Sequence, residues 1–135
     1  MKRIFLFFLL IFISCSPLEL SRLFGAGLKP FREKGKIYTK AFDRDLPSCY
    51  AEIIQKLKAM EVSSYRGSQR EGFLVARHFV KVFPQCSAST EVAIFFTELE
   101  SSKTQVEIAS LNYSLAEFIA SELFNDLGKE KNIEN

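Results

Sequence analysis

The chain has 135 residues, 47% of them hydrophobic, which is room for one domain with a modest single core. Its 18 basic and 16 acidic residues give a formal charge of +2, but Lys2 and Arg3 lie in the first fourteen residues, so from residue 15 onward the count is 16 against 16. That balance removes the net basic surface through which nucleic-acid binding releases counterions, and bulk-charge attraction to anionic lipid with it.

Lys2 and Arg3 precede an uninterrupted apolar stretch over residues 4–13. A helix that crosses hydrocarbon needs about 20 such residues, so the run is too short to be a permanent span. Four Phe together with Leu and Ile leave it no polar side, which argues against a surface helix of the domain. Residues 1–14 therefore read as a signal peptide that takes no part in the fold. An ordinary cleavage site has small residues at positions −3 and −1, and Phe12 is bulky for the first. The stretch Phe12-Ile13-Ser14-Cys15 instead resembles a bacterial lipobox, in which the cysteine becomes the first mature residue and carries lipid. Ile13 and Ser14 fit that pattern; Phe12 departs from it, an aliphatic residue being usual there. The resemblance implies lipidation at Cys15 by three acyl chains, enough for a firm hold where one chain binds only reversibly. It further implies a place in the cell envelope, with Ser16 pointing to the outer membrane and a domain facing the periplasm. Ordinary cleavage and release is the competing reading.

Residues 15–34 carry Gly25, Gly27 and Pro30 with no sustained period, and read as a tether. Leu23, Phe24, Leu28 and Phe31 are too apolar for a pure linker and are expected to pack on the domain or rest on headgroups. Gly25-Ala26-Gly27 lacks the Lys-Ser/Thr that a phosphate loop needs. Residues 36–42 alternate as a strand. Asp45 is a candidate N-cap with Pro47 in the first turn, and Tyr50, Ile53, Ile54, Leu57 and Met60 follow at helical spacing. Residues 61–66 read as a short strand, 67–72 as a turn, and 73–83 as a long β-rich run. After a polar connection over 84–90, residues 91–100 and 104–111 form two strands joined by a turn. Ser114 and Glu117 have capping-box spacing ahead of a helix carrying Leu115, Phe118, Ile119, Leu123 and Leu127, with Gly128 at its C-terminal stop. Residues 129–135 are a polar tail expected to be disordered.

The order β-α-β-β-β-β-α over residues 35–128 predicts an α+β domain of two layers, an antiparallel sheet with both helices on one face. This layout resembles small domains of bacterial envelope lipoproteins; the likeness implies fold and location and carries no activity.

Catalytic and metal chemistry find little support. The single histidine, His78, falls within an apolar strand pattern, and no Cys-x-x-Cys spacing or second histidine is present to build a metal site. Asp43 and Asp45 are close, but Asp45 is better used as a cap than as half of an acid pair. Cys49 and Cys86 could bond in an oxidising envelope, although strand parity puts them at opposite ends of the sheet. Asn112-Tyr113-Ser114 is a formal glycosylation sequon that a bacterial signal leaves unused. The expectation is a protein that is not an enzyme and needs no cofactor or metal.

What stands out is apolar excess on two strands. Only one face of the sheet can meet the helices, and an antiparallel sheet exposed on the other should alternate apolar with polar. Yet Phe73, Val75, Phe79 and Phe83 share a face with Arg77 and Lys81, and Ala93, Phe95 and Leu99 share one with Thr97. Either the apolar residues of the tether cover this face or a protein partner, or a second copy, does. The sites expected to matter are Cys15 for lipid, and Phe73, Val75, Arg77, Phe79, Lys81, Phe95 and Leu99 for contact, with the two cations favouring an acidic partner. The expected function is a membrane-anchored interaction module; the alternative is a carrier or sensor of a small apolar ligand held between helices and sheet.

Overall fold

In the computed structural model, which describes residues 28–62, 64–85 and 90–128, the chain forms three helices and five strands. They are α1 (Lys29–Lys34), β1 (Lys36–Phe42), α2 (Leu46–Ala59), β2 (Ser64–Ser68), β3 (Phe73–Arg77), β4 (Glu91–Glu100), β5 (Lys103–Ser110) and α3 (Tyr113–Leu127). The expected signal peptide, Cys15, the first part of the expected tether and the expected tail lie outside the described residues. A compact unit begins at Phe31. Helix α1 lies where the sequence suggested tether, and from β1 onward the elements follow the predicted order.

The strands make one antiparallel sheet in the order β1-β5-β4-β3-β2. Four consecutive strands meander from β2 to β5, and β1 closes the far edge. Helix α2 therefore carries the chain from one edge of the sheet to the other. Both long helices bury one stripe against the same face: Ile53 and Leu57 of α2, and Leu115, Ile119 and Leu123 of α3, pack with Leu74, Ile94, Val106 and Ile108 of the sheet. The α+β two-layer architecture is thus the one that periodicity specified.

Local chemistry sets the element ends. The Asp45 carboxylate accepts the Ser48 backbone N–H at 2.8 Å, the N-cap bond expected from the sequence. At the other end of α2, the Glu61 N–H bonds the Lys58 carbonyl and the Val62 N–H bonds the Leu57 carbonyl, each at 2.9 Å. This pair is a Schellman closure, and it places Glu61 in the left-handed region at φ 59. Helix α3 is capped differently from the expectation. Asn112, not Ser114, accepts the Leu115 N–H, at 3.1 Å, and the buried Ser110 hydroxyl takes the Asn112 N–H at 3.1 Å while donating to the Glu91 carbonyl at 2.7 Å. Asparagine caps as well as serine does, and this one is already fixed by its neighbour two residues back. Gly128 ends α3 with right-handed φ −80, so it is not the left-handed stop its identity suggested.

One strand is much shorter than its sequence pattern. The β-rich run over 73–83 stops at Arg77, opposite Glu91, where β4 begins and the ladder loses its partner. His78 takes φ 70 and is exposed, and the chain turns inward. The Phe79 carbonyl accepts both the Val82 N–H (3.0 Å) and the Phe83 N–H (2.7 Å). Phe79 is fully buried in the main core, and the Phe83 ring meets Phe118 of α3 with centroids 5.5 Å apart. Burying a large ring outweighs continuing an unpaired strand.

Candidate interaction face

Register sorts the sheet residues into two faces. Tyr65, Leu74, Ala76, Val92, Ile94, Phe96, Val106 and Ile108 alternate toward the helices and belong to the main core. The second face carries an apolar row running Val75, Ala93, Ala109, with Phe73, Phe95 and Glu107 in the next row. Val75, Ala93, Phe95 and Ala109 are all buried but stand apart from the main core cluster, as does Phe31 of α1. The second face is therefore apolar at its centre, as the strand pattern indicated.

Part of its cover comes from α1. The Arg32 guanidinium lies over the Phe95 ring, 4.2 Å from its centroid, and one of its nitrogens is 3.9 Å from a Glu107 carboxylate oxygen on the neighbouring strand. Arginine on an aromatic face gains from the ring quadrupole, and Glu107 holds the charge in place. The sequence placed Phe31 among the candidates to cover this face; Arg32 carried no signal in periodicity, because cation–π contacts have no spacing rule.

The predicted contact residues divide. Phe73, Val75 and Phe95 lie together on the second face, with Phe73 directly opposite Phe95 in register. Arg77 is there too, ion-paired to Glu91. Phe79 leaves the set: the turn after His78 carries it into the main core. Lys81 lies in that same turn beyond the end of β3, and pairs with Glu61 at 2.6 Å. Both cations are thus neutralised within the chain and lend little attraction to an acidic partner. Leu99 is half-exposed and falls where the β4–β5 register shifts between Glu98 and Glu100, so simple alternation does not set its direction. Beyond α1's reach the open part of the face holds Arg66, Phe73 and Thr97, with Leu99 at its margin.

Groups with chemical potential are otherwise committed. Cys49 is a buried free thiol; burial, above all, pushes its pKa up, against a smaller opposing pull from Arg44. Arg44 is ion-paired to Glu52, and its carbonyl accepts the buried Thr104 hydroxyl at 2.9 Å. Cys86 lies outside the described residues. Burial also raises the Tyr50 phenol, whose ring packs on Phe96 at 5.1 Å. Among the described residues no cluster of three His, Cys, Asp or Glu side chains could hold a metal ion, and no buried side-chain polar atom lacks a partner. No described helix is long and apolar enough to cross a membrane. Compared with known proteins, the sequence matches no family model and no curated protein.

Proposed function

We propose that this is an envelope protein anchored by lipid at Cys15, which works by holding a protein partner against the second face of its sheet and performs no catalysis. The observation that carries the reading is Phe73, a half-buried ring between exposed Arg66 and Thr97, at the open margin of a face whose apolar centre, Val75, Ala93, Phe95 and Ala109, is already covered. Its described cover is a six-residue helix, α1, leaning on one cation–π contact and one long ion pair. A partner docks on the open part around Arg66, Phe73 and Thr97, arginine being among the side chains enriched at binding hot spots and the Phe73 ring supplying apolar contact area. The carrier alternative draws no support from the layer it needs: between helices and sheet lie the fully buried side chains of Ile53, Leu57, Leu74, Ile94, Ile108, Leu115 and Ile119.

Photo-crosslinking in cells tests the docking surface. A benzophenone side chain at position 66, 73 or 97 is expected to yield a discrete adduct, whereas one at Glu122, exposed on α3, yields none. Adducts of equal yield from 122, or none from the three sheet positions, would overturn the assignment.

A further inference from the structure

The exposed large apolar side chains are not spread evenly over the domain. Among the described residues they are Ile37, Val80, Leu99, Leu111 and Tyr113, with exposures from 37% to 61%. Four of the five lie at one end of the sheet. Ile37 is the second residue of β1, Leu111 and Tyr113 follow the end of β5, and Val80 follows the end of β3. Register puts these strand ends together, since Lys36 pairs with Ser110, Arg77 with Glu91, and Ser64 with Arg77. Tyr113 reaches back to this rim through its hydroxyl, which donates to the Lys34 carbonyl at 3.4 Å.

Charge is polarised in the same sense. Residues 33–36, 58–61, 77–81, 90–91 and 111–117, which make up this rim, contain five basic side chains against four acidic. The opposite rim, residues 43–45, 68–72, 98–103 and 125–128, contains three basic against six acidic. A sequence whose total charge cancels beyond residue 14 thus folds into a domain with a weakly positive end and an acidic one. The positive end is also the apolar end, and it is where the chain passes from α1 into β1 at Gly35.

We infer that this rim rests on an anionic lipid surface, with Leu111, Tyr113, Ile37 and Val80 at headgroup depth and Lys34, Lys36 and Lys58 among the phosphates. Tyrosine with an apolar body and a polar tip, and lysines with long apolar stems, are the side chains that suit such a boundary. The inference rests on the lipid-anchor reading, because four partly exposed side chains give only a marginal hold alone. A tether changes that by making the contact intramolecular. The 16 chain steps from Cys15 to Phe31 span at most roughly 55 Å, so an anchored domain stays within that distance of the surface. The acidic rim, and the open end of the candidate interaction face with it, then point away from the lipid.

The chain contains no tryptophan, so one introduced indole reports its own surroundings. Full-length lipidated protein carrying Leu111→Trp, or Arg70→Trp at the opposite rim, is reconstituted in vesicles of phosphatidylglycerol and phosphatidylethanolamine with brominated acyl chains. Flotation of the vesicles reads the anchor; bromine quenching and the blue shift of emission read the rim. The expected result is co-flotation of both, with quenching at 111 at least about twofold greater than at 70. Adding Lys34→Glu and Lys36→Glu to the Leu111→Trp chain is expected to reduce that quenching while co-flotation persists. Co-flotation with equal quenching at both positions overturns the rim and leaves the anchor standing. Lipidated protein that fails to float overturns both.

Discussion

At the scale of single residues, Phe79 and Leu99 look alike in the sequence, each an apolar residue in an alternating run, and differ completely in the fold. Phe79 is sealed in the main core. Phe79→Ala should cost about 3–5 kcal/mol in chemical denaturation, and Leu99→Ser should stay within about 0.5 kcal/mol. A small effect at 79 would show that the turn after His78 does not deliver the ring to the core. Gly72 sets another residue-level constraint. It has φ 67, and a Cβ there would sit 2.4 Å from the Phe96 carbonyl oxygen, whose own N–H bonds the Gly72 carbonyl at 2.8 Å. Gly72→Ala should therefore lose at least about 2 kcal/mol, the left-handed penalty and the clash acting together. Cys49 should resist alkylation in the native state and react on unfolding. Burial disfavours its thiolate, so the stability it contributes is present below the ordinary thiol range and is lost as pH rises through the raised value.

At the scale of elements, periodicity and capping made most of the fold legible. The stripe from Tyr50 to Met60 and the stripe from Leu115 to Leu127 are helices because their apolar spacing buries one side, and both bury it. Strands β4 and β5 lie within a residue of where the sequence put two strands joined by a turn. What sequence did not disclose depended on partners distant in the chain. The run over 73–83 has β composition throughout, but its length is decided by where β4 begins. The α3 cap is decided by Ser110 holding Asn112. In the candidate face, Phe73, Val75 and Phe95 were readable from parity, whereas Arg32 over Phe95 was not, since it joins residues 63 apart with no pattern to announce them. The Asp45 cap offers an element-level test. The Ser48 side chain and then its backbone N–H hold the Asp45 carboxyl below the usual carboxylate range. Its contribution to α2 is present above the ordinary carboxylate pKa and is lost as pH falls through the depressed value. Asp45→Asn keeps a capping oxygen but does not titrate. Thermal midpoints of the variant should fall less steeply on acidification than those of the wild type; parallel curves would show that the cap carries no charge-dependent stability.

For the whole molecule, the proposed anchor, the polarised rims and the second face describe one arrangement. In that proposed arrangement lipid at Cys15 would keep the domain at a surface, the apolar and basic rim would meet that surface, and the open part of the second face would be left to a partner. Each rests on different chemistry: a thioether, headgroup contact and apolar docking. The anchor comes first because both other contacts depend on residence at the membrane. Intact mass spectrometry on protein extracted from its native membrane tests it most directly. The expected result is a mature chain beginning at Cys15 and heavier than its polypeptide by a diacylglyceryl group and an amide-linked acyl chain. A chain that starts at any other residue, or one with an unmodified Cys15 thiol, would contradict it.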